Sequence, residues 1–246
     1  MYSQQFLPEK SISLLVKSIW VFENADEQVS TSLPFFADGF PGLLFYQANN
    51  GLNIRPHDKQ MPTLFIYGQT IQPVELNVKG TFQIIIFRLY PFVLKHLFNI
   101  LPKSINDNCF DLLQVKTVDV ARLKLDLVSN ADISKRIALL SDFLAQQFNN
   151  SSQAFDKDIR DAIHHILTTK GQVPVGHVAK QLQLHLKTFE RRFVNETGLS
   201  PKHFSKIVQF NSSFEQLTSR GFKKLTDVVY ENGFADQSHF IRVFKA

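Results

Sequence analysis

The sequence predicts an α+β chain, in which a β-rich N-terminal domain precedes an all-α domain with two helix-turn-helix units. Three observations lead to this prediction. Runs of β-branched and aromatic residues, separated by turn residues, fill the first half of the 246-residue chain. Apolar residues at helical spacing dominate from residue 132 onward. A helix, a glycine-bearing turn and a second helix then occur twice in the C-terminal third.

Composition indicates a globular protein with a sizeable core. Apolar residues make up 44% of the chain, and 24 residues are phenylalanine, which is not the composition of a disordered chain. Cys109 is the single cysteine, so no disulfide can form within the chain, as is typical of proteins in a reducing cytosol. No run approaches about 18 apolar residues, and no signal pattern opens the chain. We therefore expect a cytoplasmic protein without a membrane segment.

Residues 1–128 are predicted to form the β-rich domain. The strand candidates are residues 43–46, 63–67 and 81–88, with glycine, proline and asparagine turns between them. Residues 91–101 change to helical spacing, with a proline suited to the first turn. Aromatic side chains of these strands could line a pocket, although such side chains are more often core; the candidates are Phe45, Tyr46 and Phe87.

Residues 129–153 are predicted to hold a connecting helix and a linker. Apolar residues recur at helical spacing from Ile133 to Phe148, which predicts a helix over residues 132–149 with one apolar stripe. Such a stripe usually packs on its own domain and less often forms a dimer seam. The run Asn-Asn-Ser-Ser-Gln at 149–153 is the clearest linker in the chain.

Residues 154–246 are predicted to form the helical domain, and they carry the excess positive charge. They contain 14 Lys and Arg against 9 Asp and Glu, whereas residues 1–153 contain 13 of each kind. This distribution suits a domain that approaches phosphates, although a merely basic soluble face would look the same. Within the domain, residues 156–169 predict a scaffold helix, and Ser200-Pro201 predicts the N-cap and first residue of a long helix.

The last helix-turn-helix unit is the most informative stretch. Residues 225–231 predict a short helix, Asn232-Gly233 a left-handed stop, and Asp236 the N-cap of a recognition helix. Phe240 and Phe244, four residues apart, are expected to be buried. The opposite face of this helix then presents an amide, a hydroxyl, an apolar tip and two cations: Gln237, Ser238, Ile241, Arg242 and Lys245.

A variant of the same unit lies about fifty residues earlier. Residues 178–193 can be laid over residues 228–244, with a turn that is one residue shorter. The pair Phe189 and Phe193 then matches the pair Phe240 and Phe244. The exposed face of this first recognition helix is expected to consist of Lys187, Glu190, Arg191 and Val194.

Residues 156–246 resemble the DNA-binding domain of AraC/XylS-family transcription regulators. The stretches that carry the resemblance are Glu-Thr-Gly-Leu-Ser-Pro at 196–201, Gly233-Phe234, and Gln-Ser-His-Phe at 237–240 with the residues after it. The resemblance implies a homeodomain-like domain of seven helices, which reads double-stranded DNA and needs no cofactor. It places at the bases Lys187, Glu190, Arg191, Gln237, Ser238, Ile241 and Arg242.

More weakly, residues 1–128 resemble an effector domain found before some AraC-family domains. The stretches involved are Asp-Gly-Phe-Pro at 38–41, Gly68-Gln69 and residues 87–98. This resemblance implies a sensor or oligomerisation role, with a small-molecule effector and a homodimer as partners. RNA polymerase is the further partner expected of a transcriptional activator. The ligand is not implied.

The long helix sets the expected spacing on DNA. A helix of about 18 residues spans about 27 Å, and one face of the major groove recurs about every 34 Å. One chain could therefore read two successive groove segments. Among the base-facing residues, Arg191 and Arg242 suit guanine, and Gln237 suits adenine. Ile241 could touch a thymine methyl, and Glu190 could read cytosine or reject wrong sequences.

Each of these readings has a structural alternative. Arg191 or Arg192 could pair with Glu190 or Glu196 on the helix surface. Gln237 and Ser238 could be ordinary first-turn residues. His185 stands at the N-cap of the first recognition helix, where serine or aspartate would be better.

The pattern also departs from the family at the second unit. Gln209 stands where many relatives carry an arginine, and the chain ends at Ala246, before the expected closing helix. The alternative function is therefore a ligand-binding or interaction protein whose shortened C-terminal domain no longer binds DNA tightly.

The sequence offers little support for an enzyme. The eight histidines show no metal-ligand spacing, since His164 and His165 are adjacent and point apart on a helix. No nucleophile elbow, Walker loop or dinucleotide fingerprint occurs. Cys109 lies between Asp107 and Asp111 and is expected to be a buried, inert thiol. We therefore predict a chain that is not an enzyme and binds no metal.

Overall fold

Strands dominate the first part of the chain and helices the rest, which confirms the predicted α+β class. The computed structural model describes residues 1–115, 120–151, 154–219, 222, 224–238 and 240–241. Two compact units are present: Met1–Phe36 with Phe40–Ala154, and Ala37–Gly39 with Phe155–Ala246.

The strands of the first unit form two antiparallel sheets. One sheet has six strands in the order β1-β2-β9-β4-β7-β10, and the other has four in the order β3-β8-β5-β6. The strands are β1 (Tyr2–Phe6), β2 (Val16–Asn24), β3 (Ser30–Phe35), β4 (Gly42–Ala48), β5 (Asn53–Arg55), β6 (Lys59–Gln60), β7 (Leu64–Tyr67), β8 (Val74–Lys79), β9 (Phe82–Leu89) and β10 (Cys109–Asp111). The three predicted strands correspond to β4, β7 and β9.

Helices complete both units. In the first unit they are α1 (Val93–Phe98), α2 (Val120–Ser129) and α3 (Ile133–Asn150). In the second they are α4 (Lys157–Thr168), α5 (Val175–Gln181), α6 (Leu186–Thr197), α7 (Pro201–Thr218) and α8 (Leu225–Glu231). Short 3₁₀ helices occur at Lys10–Ile12, Pro102–Ile105 and Leu112–Gln114.

Strand β9 lies in the middle of the six-stranded sheet and is covered on both faces. Ile84 and Ile86 pack, with Leu44 and Phe65 from neighbouring strands, into a core that includes Leu76 of the four-stranded sheet. Ile85 and Phe87, which point to the opposite face of β9, are fully buried too. Because both faces are covered at its centre, the strand has the continuous apolar run Ile84–Phe87 instead of an alternating pattern.

The three aromatic residues considered for a pocket are core residues. Phe45 and Phe87 are fully buried, and Tyr46 is buried with its hydroxyl donating to the Met61 carbonyl at 2.8 Å. Burial raises the pKa of Tyr46, against a smaller opposing effect of the backbone at Leu52. The core alternative is therefore the correct one for these residues.

Helix α3 packs within the first unit through its buried residues Leu140, Phe143 and Leu144. Asp132 caps the helix, since its carboxylate accepts from the N–H groups of Ser134 at 2.7 Å and Lys135 at 3.2 Å. The helix runs to Asn150, one residue beyond the predicted end. Half-buried Ile133, Ile137 and Phe148 extend the predicted apolar stripe.

Arg136 of α3 is 2% exposed, which is rare for a charged side chain. Its Nε donates to the Leu127 carbonyl at 2.9 Å, and its two terminal nitrogens donate to the side-chain oxygens of Gln83 and Gln47. The guanidinium also lies over the Phe45 ring, at 5.1 Å from its centroid. One side chain therefore ties α3 to α2 and to the outer face of the six-stranded sheet.

Candidate nucleic-acid interface

In the second compact unit, the C-terminal end of α4 packs closely against α7. Gly171 follows α4 with a φ of 74°, and a Cβ at this position would lie 2.2 Å from the Ser205 carbonyl oxygen of α7. Only glycine combines that backbone angle with that approach. Asp156 caps the other end of α4, since its carboxylate accepts from Ile159 N–H at 3.3 Å.

The first helix-turn-helix unit consists of α5 and α6. Val178 and Ala179 of α5 are buried, as are Phe189 and Phe193 of α6. The Phe189 and Phe193 rings meet edge to face at 5.7 Å between centroids, and Phe193 contacts Phe204 of α7 at 5.6 Å. His185 stands at the N-cap without a side-chain hydrogen bond, in agreement with the poor cap expected there.

The predicted recognition face of α6 lies on the surface. Lys187 and Arg191 are exposed and Glu190 is half-buried, whereas Phe189 on the opposite face is inaccessible. In the part of the chain that the structure describes, the Arg191 side chain makes no hydrogen bond or ion pair, so the pairing with Glu190 or Glu196 is absent. The guanidinium of Arg191 is available to a ligand.

Arg192, the adjacent residue, is engaged with the protein. Its Nε and a terminal nitrogen donate to the Asp156 carboxylate at 2.9 and 2.6 Å, and the same terminal nitrogen donates to Asp158 at 2.8 Å. This fork fastens α6 to the start of α4. Sequence reasoning considered Glu190 and Glu196 as partners of Arg192, and that was wrong, because the acceptors lie in another helix.

The Asp156 carboxylate predicts a pH-dependent stability. Burial opposes its ionisation, but hydrogen bonds from Arg192 and from Ile159 N–H outweigh burial and hold the pKa of Asp156 below the ordinary value of 3.8. A depressed pKa in the folded state gives stability that is present above the ordinary value and is lost as pH falls through the folded value. The melting temperature should therefore fall in acid.

The melting temperatures of the unsubstituted chain and of Asp156→Asn are compared between about pH 6 and pH 3, with unfolding monitored by circular dichroism at 222 nm. We expect the variant to be less stable near pH 6 and the gap to narrow as the native carboxylate takes up its proton. Parallel curves over this range would contradict the assigned ion pair.

The second helix-turn-helix unit consists of α8, a turn and the helical residues that follow. Residues 225–231 form α8 with the predicted bounds, and Gly233 has a φ of 74°, as the predicted left-handed stop requires. Phe240 is buried against Phe234, with ring centroids 5.0 Å apart and edge to face. The Phe240 N–H donates to the Asp236 carbonyl at 3.1 Å, which closes the first turn of the recognition helix.

The predicted residues of this second face are exposed where the structure describes them. Gln237 and Ser238 are exposed in the first turn, and Ile241 is 45% exposed beside buried Phe240. Arg242, the remaining predicted base reader, lies outside the described residues, as does Phe244, the second predicted core residue. The described residues of the face therefore point away from the core.

Polar side chains hold the turn of the second unit, and sequence reasoning missed this arrangement. Gln209 of α7 donates to the Asn232 carbonyl at 2.7 Å, and Asn232, which is fully buried, donates to Gln216 of α7 at 2.6 Å. Gln172 donates to the Glu231 carbonyl at 2.8 Å. Gln209, noted as a departure from the family, thus fastens the second turn to α7.

Helix α7 joins the two helix-turn-helix units. Ser200 accepts from His203 N–H at 3.2 Å, and Pro201 is the first helical residue, which confirms the predicted start. The helix runs for 18 residues to Thr218. It contacts the first helix-turn-helix unit through Phe204 and the second helix-turn-helix unit through Gln209 and Gln216.

Neither a metal site nor a membrane-spanning helix is found among the described residues. Within residues 1–115, 120–151, 154–219 and the later described ones, no group of three His, Cys, Asp or Glu side chains could hold a metal ion. No helix there is both long and apolar enough to cross a membrane.

Both parts of the chain match known domain models. Residues 4–111 match the model of a domain of unknown function, DUF6597, and residues 178–246 match that of a helix-turn-helix domain. The chain is 31% identical over 68 residues to the HTH-type transcriptional activator RhaS of Escherichia coli SE11 and of Klebsiella pneumoniae 342. The match covers 28% of this chain and 24% of the RhaS protein, about a quarter of its length.

Solved structures are similar over most of the chain. ToxT of Vibrio cholerae O395 is 12% identical, with a TM-score of 0.47, and the match covers 99% of this chain and 92% of ToxT. The AraC-like transcriptional activator CuxR is 11% identical, with a TM-score of 0.29 and coverage of 89% and 96%. The chain therefore carries a helix-turn-helix domain at residues 178–246, and it is similar over 68 residues to the transcriptional activator RhaS.

Proposed function

We propose that the chain is a transcription regulator that reads two successive major-groove segments of DNA with its paired helix-turn-helix units. The observation that carries this proposal is the pair of exposed, mixed polar faces on opposite ends of α7. Its 18 residues correspond to about 27 Å, close to the groove repeat of about 34 Å. The surplus of basic residues in 154–246 supports the approach to phosphates.

In this proposal the side chains divide the reading by their chemistry. Arg191 and Arg242 bind guanine O6 and N7 through the guanidinium fork, and Gln237 pairs with adenine N6 and N7. Ile241 contacts a thymine methyl. Glu190 accepts from cytosine N4 and rejects sequences that place an acceptor opposite it. Lys187 and Ser238 complete the two faces.

The matched relatives are named transcriptional activators, and we extend that activity to this chain. Activation requires a contact with RNA polymerase when the domain is on DNA. The β-rich unit would control it through a small-molecule effector.

The test is selection of bound duplexes from a random library by the full 246-residue chain, at two salt concentrations. We expect enrichment of two conserved blocks with centres about 10 bp apart. Arg191→Ala should lose information in one block and Gln237→Ala in the other. A single block, unaffected by one of the two substitutions, would contradict reading by both units.

The salt dependence separates specific from purely electrostatic binding. We expect the selected duplex to be preferred at both salt concentrations, because base contacts persist when phosphate contacts are screened. Binding at low salt without enrichment of any sequence would overturn direct reading. It would favour an interaction protein whose helical domain does not grip DNA.

A further inference from the structure

The β-rich unit contains a cavity of about 300 Å³ at one end of the core between its two sheets. Cavities that hold small molecules begin at about this size. Leu44 and Phe65, paired across β4 and β7, form one wall, and Ile54 and Leu76, paired across β5 and β8, form the opposite wall. Phe35 and Met61 contribute further apolar surface. The body of any ligand here must therefore be apolar.

The mouth of the cavity lies where an edge strand of each sheet approaches the other. Lys59 is on β6, the edge of the four-stranded sheet, and Cys109 is on β10, the edge of the six-stranded sheet. The Lys59 ammonium is 3.6 Å from the Cys109 Sγ and 3.4 Å from the Asn108 side-chain oxygen. The expectation of a buried thiol was thus wrong, because Cys109 is half-exposed and lines a cavity.

The Asp107 carboxylate and the Lys59 ammonium at this mouth differ in how fully other groups of the protein bind them. One oxygen of the Asp107 carboxylate accepts from Ile71 N–H at 2.6 Å and from Gln72 N–H at 3.0 Å, so the fold itself uses this anion. The partners of Lys59 among the described residues are the Asn108 amide oxygen and the Cys109 sulfur, and both contacts are long. An ammonium of this kind retains the capacity to bind an external anion.

We propose that this cavity binds an apolar carboxylate, with its hydrocarbon or aryl body between the sheets and its carboxylate on the Lys59 ammonium. A single ammonium matches a singly charged anion, and the apolar walls exclude a polar body such as a sugar. The inference deepens the proposed function by naming the chemical class of the effector, and it rests on that function only in calling the ligand an effector.

Cys109 provides the assay, because it is the single cysteine of the chain and lines the cavity. The rate of its alkylation by iodoacetamide is measured without DNA, with increasing hydrocinnamate, phenylbutanoate or phenylpentanoate, and with the corresponding primary amides. We expect at least one acid to protect Cys109 saturably. Its amide should need a concentration about tenfold higher, because a charge-assisted hydrogen bond is lost.

Two substitutions test the role of the charges. Lys59→Met should abolish the preference for acid over amide, whereas Lys79→Met, on the same sheet but outside the cavity lining, should retain it. Asp107→Asn keeps the acceptor for Ile71 and Gln72 and should strengthen binding of the acid a few-fold. Ratios of acid to amide are compared within each variant, so that a change in thiol reactivity cancels.

The outcomes separate this inference from the proposed function. Failure of every acid to protect Cys109 up to about 1 mM, which corresponds to a binding free energy of about −4 kcal/mol, would overturn the inference. Equal protection by acid and amide, or a preference that survives Lys59→Met, would overturn it too. None of these results bears on DNA reading, which the duplex selection tests without any ligand.

Discussion

Arg191→Ala is expected to lower the affinity for the selected duplex by about tenfold or more, because a bidentate contact to guanine contributes about 1–3 kcal/mol. Stability should change by no more than about 0.5 kcal/mol, as for other surface substitutions. The reason is geometric: the Arg191 side chain is exposed and makes no hydrogen bond or ion pair within the described residues. Fluorescence anisotropy of labelled duplex and urea unfolding followed by circular dichroism measure the two quantities.

Arg192→Ala is the matched control, since it removes the same side chain from the adjacent position. Here we expect the reverse result. The helical unit should lose about 2 kcal/mol, because three charge-assisted hydrogen bonds to Asp156 and Asp158 disappear. Affinity should stay within a few-fold at a temperature where the unit is folded.

Exchanged results for the two arginines would show that the assignment of the α6 face is wrong by one residue. If both variants kept their affinity for the duplex, the first helix-turn-helix unit would not read the DNA sequence. A further check lies in the base affected. The loss caused by Arg191→Ala should fall on one base pair of the selected site, whereas loss of a phosphate contact weakens all sequences alike.

Local patterns in the sequence were sufficient for most of the helical unit. The bounds of α8 were predicted without error, and so was the start of α7 at Ser200-Pro201, because caps and periodicity act over four or five residues. The burial of Phe189, Phe193 and Phe240 followed from the same periodicity. The base contacts of the two faces stay predictions.

Contacts between distant residues could not be read in this way. The choice between Arg191 and Arg192 depends on Asp156, which lies 36 residues upstream of Arg192 in another helix. The Asn232 turn depends on Gln209 and Gln216, whose amides have no distinguishing local pattern. The cavity is a volume that the side chains of two sheets leave unfilled, and no linear motif marks an unfilled volume.

Among these contacts, those of Arg136 join the residues that are furthest apart in the sequence. Loss of its side chain is expected to have the largest effect on stability. Its acceptors Gln83 and Gln47 lie 53 and 89 residues away in the chain. Burial lowers the pKa of the Arg136 guanidinium, and the Glu23 carboxylate raises it. Glu23 also accepts from the Gln83 amide at 2.8 Å, so the charge is compensated through an intervening side chain.

We expect Arg136→Met to destabilise the β-rich unit by about 3 kcal/mol, because it leaves the buried Leu127 carbonyl and two amide oxygens without their donor. Lys135→Met, at the exposed neighbouring position, should change stability by less than about 0.5 kcal/mol. Urea unfolding is followed by the fluorescence of Trp20, the single tryptophan, which reports on β2 and hence on this unit alone.

The double variant Arg136→Met/Gln47→Leu distinguishes the hydrogen bonds from the loss of volume. If the cost comes from stranded acceptors, removal of one acceptor should recover about 1 kcal/mol, because replacing both partners of a hydrogen bond is cheaper than replacing one. If the cost is only a cavity left by the shorter side chain, the two substitutions should be additive. Additive costs would therefore reduce Arg136 to a space-filling residue, whereas recovery would identify it as the polar tie between α3 and the sheet.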